Sequence, residues 1–149
     1  IRAAGQARPV AGGTVSISDC GRPLEAWYVA FVDAQPTPWH RLMKPGFRHC
    51  YAFAWDAAAD RWVVLEPGFD GVYLRPVRDE VIGLLWARLA ADGSRVLLAR
   101  SEGHRMLRPR LLLTCVTAVA ALLALRRCCA VSPWQLYRTL RRRGAIEVL

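Results

Sequence analysis

Short apolar runs alternate along the chain with turn-forming residues, and most of these runs are rich in aromatic and β-branched side chains. That composition is typical of β-strands, and the Pro, Gly and Asp residues between the runs are typical of turns. The pattern predicts five strands, at residues 26–34, 49–55, 61–67, 69–77 and 94–100. The DAAAD segment between the second and third strands favours a hairpin.

Two further segments carry helix start and stop signals. A helix is predicted at 80–91, with Asp79 as its cap and an Asp-Gly pair as its end, and another at 114–127, with Thr114 as its cap. Together with a last helix near the C-terminus, the order is strands, helix, strand, helices. That order predicts an α+β fold.

The last helix has the clearest boundaries. Ser132 is its predicted cap, Pro133 occupies the first turn, Gln135 completes a capping box and Gly144 ends the helix. An apolar stripe at spacing three is expected to pack on the domain while the arginines stay in solvent or meet a partner. The stripe consists of Trp134, Tyr137 and Leu140.

Length and N-terminal composition set the domain organisation. A chain of 149 residues suits one domain with one core. Residues 1–20 are rich in Gly, Ala, Ser and Pro, so we expect an extended N-terminal arm followed by a single domain at 21–149. The N-terminus lacks the apolar core of a signal peptide. Residues 111–125 carry no charge but number only 15, whereas a membrane span needs about 20 apolar residues, so no span is expected.

Composition adds a strongly basic surface. A hydrophobic content of 54% and six tryptophans exclude a disordered chain. The net charge is +9, and every cation except Lys44 is an arginine. Compositional bias with a solvated basic rim explains this charge about as well as nucleic-acid binding does. Because no base-recognition motif is present, we expect no specific nucleic-acid recognition.

The cysteines argue against two classes of site. The chain has five, an odd number with no CxxC pair, which is unlike a disulfide framework or a Cys-rich zinc site. The simplest compartment is therefore a reducing cytoplasm, and no metal or cofactor is expected. The cysteines are residues 20, 50, 115, 128 and 129.

The adjacent residues His49 and Cys50 begin the second predicted strand. Successive side chains of a strand point to opposite faces, so His49 shares a face with Tyr51 and Cys50 points the other way. A thiol on the opposite face cannot hydrogen-bond the imidazole. If His49 is a catalytic base, its nucleophile must come from elsewhere, and Cys50 is expected to face the packing side, away from the site.

Cys115 is the candidate nucleophile. It follows Thr114 at the start of an apolar helix, where unpaired amides and the helix dipole favour the thiolate, the nucleophilic form of cysteine. His49 heads a strand and could take the thiol proton.

Glu66 is the candidate third member. If Trp55 pairs with Trp62 in the hairpin, Tyr51 faces Glu66, and Glu66 lies diagonally beside His49 on the same face. A carboxylate there would orient the imidazole and stabilise its protonated form. A shift of register by one residue would turn Glu66 away.

Each of these three residues, taken singly, is more typical of a structural role. A cysteine in an apolar helix is most often a small core residue, and a lone strand histidine is commonly structural. Together, a cysteine at a helix start with a histidine and an acid at hairpin spacing favour catalysis. Donors for an oxyanion would include the amide of Cys115, with Gln35 as a candidate side-chain donor.

Three stretches resemble papain-like cysteine hydrolases of the NlpC-like group in circularly permuted order: PGFRHCYAF, WVVLEP and LTCVTAVAALLAL. Small phage-encoded proteins of this type have a histidine strand, an acidic strand and a late cysteine helix. The resemblance implies a papain-like antiparallel sheet packed against the cysteine-bearing helix. It also implies Cys115 as nucleophile, His49 as base and Glu66 as orienter. One departure from the family is that apolar Leu113 and Val116 flank the Thr114–Cys115 pair, whereas the family usually has small or polar residues there.

The resemblance implies a thiol peptidase or amidase that acts on a peptide, peptidoglycan or another amide through a thioester. The alternative is a non-catalytic virion or assembly component that keeps the fold and binds other phage structural proteins, using the arm and the arginine-rich last helix. The host cytoplasm or the phage virion is the expected location.

Overall fold

The computed structural model describes residues 24–33, 42–68, 71–102 and 114–149. The predicted arm at 1–20 and Gln35 lie outside these ranges. The described elements are β1 (Ala26–Val32), β2 (His49–Asp56), β3 (Arg61–Pro67), β4 (Val72–Val77), α1 (Asp79–Ala91), β5 (Arg95–Arg100), α2 (Cys115–Leu122), α3 (Pro133–Arg142) and β6 (Ile146–Glu147).

The strands form a six-stranded sheet in the order β4-β3-β2-β1-β5-β6, and every neighbouring pair is antiparallel. The predicted hairpin forms between β2 and β3, and Trp55 lies opposite Trp62, the register on which the placement of Glu66 was conditional. Its turn is held by the Asp56 carboxylate, which accepts the amide N–H groups of Ala58 and Ala59 at 3.1 and 3.2 Å. Such side-chain acceptance of nearby amides is the usual reason that Asp initiates turns. The predicted α+β class is therefore confirmed.

Helices cover both faces of the sheet, which explains why the central strands are apolar on both sides. Helices α2 and α3 pack on one face, which we call the cysteine face. Its buried residues include Val29, Phe31, Cys50, Ala52, Leu97, Val119, Leu123, Leu136 and Leu140. Helix α1 packs on the other face, where its Ile82 and Leu89 join the buried strand residues Tyr28, Ala30, Phe53 and Val96.

Two helix boundaries differ from the prediction. In α1 the residue before the helix is Arg78, which makes no side-chain cap hydrogen bond, and Asp79 is already helical. Helix α2 was expected to run to 127 but ends at Leu122, because the chain turns at Ala124, whose φ is 52°. Leu123, Ala124 and Leu125 stay buried in the turn, so apolar composition alone could not locate the helix end.

Helix α3 agrees closely with its sequence signals. The Ser132 side chain accepts the Gln135 amide at 3.3 Å, whereas the Gln135 side chain accepts the amide of Val131 instead of that of Ser132. The fully buried face is formed by Pro133, Leu136 and Leu140, flanked by the half-buried Trp134 and Tyr137. The arginines of α3 are exposed at Arg138, Arg141 and Arg142.

Strand β6 was not predicted. It has only two residues, which pair with β5, and its Glu147 accepts from Arg95 at 3.0 Å and from the Tyr137 hydroxyl at 3.0 Å. Within the described ranges, no helix is long and apolar enough to cross a membrane.

Candidate active site

The start of α2 is fixed by a reciprocal pair of threonine contacts. The Thr114 side chain accepts the Thr117 amide at 3.2 Å, and the Thr117 side chain accepts the Thr114 amide at 2.8 Å. A capping box of this kind satisfies two amides that a helix leaves unpaired at its N-terminus. It places Cys115 as the first helical residue, with its side chain over the cysteine face of the sheet.

Two residues of β2 act on the thiol of Cys115. Cys50, through its thiol and its backbone amide, and His49 lower the pKa of that thiol. Cys115 itself is partly buried and packs against the core, whereas Cys50 is completely buried. The sulfur of Cys115 therefore lies where α2 meets the first two residues of β2.

These contacts separate the proton affinities of the two thiols. The hydrogen bond from Cys50 is the largest cause that lowers the pKa of Cys115, to about 4; burial opposes it, and His49 adds a hydrogen bond and its charge. The pKa of Cys50 is raised well above its ordinary value by the same hydrogen bond, by burial and by the charge of Cys115. These opposite shifts favour the thiolate at Cys115 and the protonated thiol at Cys50 at neutral pH.

The expectation that Cys50 faces away from the site is wrong. Strand alternation does place Cys50 on the packing side, but α2 is the element that packs there. Residue alternation tells which side chains share a face and does not tell which helix covers that face. Cys50 therefore faces the core and the candidate site at the same time.

His49 has two neighbours at the site, Tyr51 on its own strand and Cys115 on α2. It is the first residue of β2, opposite Val32, and its ring centroid lies 6.3 Å from that of Tyr51. It is also one cause that lowers the pKa of Cys115, the first residue of α2.

The loop before His49 is held by Asp33, a feature that the sequence did not reveal. The Asp33 carboxylate accepts the amide of Gly46 at 2.8 Å and lies 3.6 Å from the Arg48 guanidinium. Gly46 has a φ of 79°, a conformation that favours glycine. The Arg48 amide then donates to the Val32 carbonyl at 3.1 Å, which starts the β1–β2 pairing at His49.

Glu66 lies on the exposed edge of the site region. It is on β3, opposite Tyr73 of β4, and is solvent-exposed. Burial raises the pKa of Tyr51 to about 12, and the charge of Glu66 contributes in the same direction. Within the described ranges, no hydrogen bond joins Glu66 to His49. Its role as orienter stays a prediction.

Two amides at the start of α2 are the candidate oxyanion donors. The capping box takes the amides of Thr114 and Thr117, and the Ala118 amide donates to the Thr114 carbonyl at 2.9 Å. In the part of the chain that the structure describes, the amides of Cys115 and Val116 have no hydrogen-bond acceptor. They belong to the candidate nucleophile and to the residue after it, which makes them candidate donors to the oxyanion of acyl transfer.

An aromatic cluster lies beside this site on the cysteine face. Phe47 packs against Trp134 and Tyr137 of α3, with ring centroids 4.8 and 5.1 Å away, and against Phe31 at 5.8 Å. The Lys44 ammonium lies 3.2 Å from the Trp134 ring centroid. The cluster joins α3 to the loop that carries His49, so the position of His49 depends on the docking of the last helix.

Among the described residues, no group of three or more His, Cys, Asp or Glu side chains could hold a metal ion. Comparisons of this chain with protein-family models, with curated proteins and with solved structures find no match.

Proposed function

We propose that this protein is a cysteine-dependent hydrolase that cleaves an amide or ester through a thioester intermediate. The observation that carries the proposal is the placement of Cys115 as the first residue of α2, packed on the cysteine face, where His49 is one cause of its lowered pKa. A preformed thiolate beside an imidazole is the arrangement that nucleophilic catalysis by cysteine requires.

In the first half of the reaction, the Cys115 sulfur attacks the carbonyl carbon of the substrate, and a tetrahedral oxyanion forms. The amides of Cys115 and Val116 donate to that oxyanion. When the carbon–nitrogen or carbon–oxygen bond breaks, protonated His49 gives its proton to the leaving amine or alcohol. The acyl group remains on Cys115 as a thioester.

In the second half, neutral His49 takes a proton from a water molecule, which attacks the thioester carbonyl. Collapse of the second oxyanion releases the carboxylic acid and restores the Cys115 thiolate. The Cys50 thiol donates to that thiolate again and stabilises it as the resting state. Glu66 acts at a distance, through Tyr51, and we assign it the weaker role of orienting the imidazole.

The substrate class rests on the resemblance of three sequence stretches to permuted NlpC-like hydrolases. These stretches correspond to β2 with its preceding loop, to β3, and to α2, and their chain order is histidine strand, acidic strand, cysteine helix. A papain-like fold in permuted order, a peptide or peptidoglycan amide as substrate, and a phage origin are the parts of the proposal that this resemblance supports. Chain order does not affect such a site, because its geometry defines it.

The test is turnover of peptidoglycan peptide fragments and of model amides by purified protein. Cys115→Ser is nearly isosteric, so it should fold normally and reduce hydrolysis to background. His49→Ala should lower kcat/KM by about 10²–10⁴-fold, the usual range for general acid–base catalysis. The double variant should cost little more than Cys115→Ser alone, since residues that act as a unit are not additive. Cys129→Ser, at an exposed cysteine, is the matched control.

The second candidate function is a binding role in a phage assembly. The exposed arginines of α3 favour it, because they lie opposite the face that docks on the sheet and could meet an acidic partner. If purified protein hydrolyses none of these substrates, and Cys115→Ser supports the native function, the site is a relic and binding is the function.

A further inference from the structure

Cys50 belongs to the buried cluster on which Cys115 packs, and each of the two residues is a cause of the other's shifted pKa. The site therefore holds two thiols, whereas hydrolysis needs only one. Cys50 is fixed on β2, between β1 and β3, and is completely buried. Cys115 is partly exposed at the start of α2. The Cys115 thiol is therefore accessible to a small solute, whereas the Cys50 thiol is buried in the core.

We propose that Cys115 and Cys50 form an intramolecular redox pair, in which a peroxide oxidises Cys115 and Cys50 then closes a disulfide with it. This goes beyond the proposed function, because disulfide formation needs no acyl substrate. Its consequence for hydrolysis, a reversible inactive state, rests on the proposed function.

The oxidation step balances as follows. The Cys115 thiolate attacks one oxygen of the peroxide, a sulfur–oxygen bond forms, and the oxygen–oxygen bond breaks. The sulfur loses two electrons and the other oxygen leaves as hydroxide or alkoxide, which takes up a proton. Cys115 is then a sulfenic acid, the first and reversible product of thiolate oxidation.

The resolution step uses Cys50. Its sulfur attacks the Cys115 sulfur as its proton is lost, the sulfur–sulfur bond forms, and the sulfur–oxygen bond breaks to release hydroxide, which the lost proton converts to water. The negative charge of Cys115 is one cause that raises the pKa of Cys50, and sulfenic acid formation removes that charge. Oxidation of Cys115 thus makes Cys50 easier to deprotonate at the moment when it is needed. A dithiol reductant reverses the bond by thiol–disulfide exchange.

The other described cysteines are placed differently. Cys128 and Cys129 follow the turn after α2, at the far end of that helix from Cys115. Cys129 is exposed, and its thiol lies 3.9 Å from the Arg127 carbonyl oxygen, which it faces as a donor. Cys50 is therefore the resolving residue that the geometry selects.

The test is peptide mapping of wild-type protein treated with hydrogen peroxide, after which the remaining thiols are alkylated. We expect a cross-linked peptide that joins Cys50 to Cys115, with the loss of two hydrogen atoms, and its disappearance on treatment with dithiothreitol. In Cys50→Ser, Cys115 should instead be captured by dimedone as sulfenic acid and proceed to sulfinic acid. Cys129→Ser should give the same cross-link as wild type.

The wild-type map decides the proposal even if Cys50→Ser does not fold. Overoxidised Cys115 with Cys50 still free, or a disulfide from Cys115 to another cysteine, would overturn it. Hydrolysis lost to peroxide and regained with dithiothreitol would extend the pair to regulation. A reversible Cys50–Cys115 disulfide in a protein that never hydrolyses a substrate would leave the redox pair standing and remove the hydrolase.

Discussion

Cys50 of β2 lies in the buried cluster on which Cys115 of α2 packs, and its thiol is the largest cause that lowers the pKa of Cys115. The thiol of Cys50, a fully buried residue of a strand, therefore lowers the pKa of Cys115 at the helix start more than any other group does. Without it, Cys115 would depend on His49, the amide of Cys50 and the helix terminus to offset its burial. The identity of residue 50 therefore sets how much of Cys115 is ionised.

The first prediction concerns the pH dependence of Cys115 alkylation. Because the pKa of Cys115 is lowered to about 4, its thiolate persists through neutral pH and is lost as pH falls through that value. The rate of iodoacetamide modification at Cys115, followed by peptide mapping, should therefore change little from neutral pH to about pH 5 and fall below it. Denatured protein is the control and should show an inflection near the ordinary cysteine value. The same high inflection in folded protein would contradict the assigned charge state.

The second prediction concerns the effect of the Cys50 thiol group on the pKa of Cys115. Cys50→Ala removes the thiol donor and should raise the pKa of Cys115, which moves the alkylation profile to higher pH. Cys50→Ser keeps a donor in nearly the same place and should shift the profile less. Equal profiles for wild type and Cys50→Ala would show that the Cys50 thiol does not act on Cys115.

The third prediction concerns Glu66, to which we assign the weakest role of the three candidate catalytic residues. Glu66 is exposed and has no hydrogen bond to His49 within the described chain, so Glu66→Gln should reduce kcat/KM by less than the about 10²–10⁴-fold expected for His49→Ala. Thermal unfolding of Glu66→Gln should match wild type. A loss as large as that of His49→Ala would mean that Glu66 contacts the imidazole directly during the reaction.

The fourth prediction tests the dependence of the site on the last helix. Leu136 is fully buried on α3, so Leu136→Ala should lower the free energy of unfolding by about 2–5 kcal/mol, as large-to-small core changes do. Because Phe47 links α3 to the loop before His49, the variant should also slow hydrolysis under conditions where it remains folded. Leu84→Ala, at a leucine that is 73% exposed, is the control and should stay within about 0.5 kcal/mol of wild type.

Local sequence signals predicted five of the six strands and the starts of α2 and α3 well. The β-branched and aromatic runs located β1 to β5, whereas the Trp55–Trp62 register entered only as a condition that the structure meets. The Thr114 and Ser132 caps were readable because a side-chain acceptor before an apolar run has a direct physical purpose. The C-terminal limit of α2 could not be predicted, because residues Leu123 to Leu125 are buried although they lie beyond the helix.

The site was only partly accessible from the sequence. Cys115 and His49 could be singled out by their positions at a helix start and a strand start, and His49 is one cause that lowers the pKa of Cys115; their catalytic roles stay predictions. The role of Cys50 beside Cys115 was missed because it depends on which face of the sheet α2 covers. That long-range packing is not encoded in the alternation of residues along a strand. The support of Asp33 for the Gly46–Arg48 segment was missed for the same reason, since it joins two segments across a loop.

The most direct measurement of the central claim is mass spectrometry of the protein quenched in acid during turnover of a model amide or ester. We predict an acyl group bound to Cys115 as a thioester, which appears before product is complete, decays with turnover and is released by hydroxylamine. Wild-type hydrolysis without an acyl group on Cys115, or hydrolysis by Cys115→Ser at the wild-type rate, would contradict the claim that Cys115 is the nucleophile.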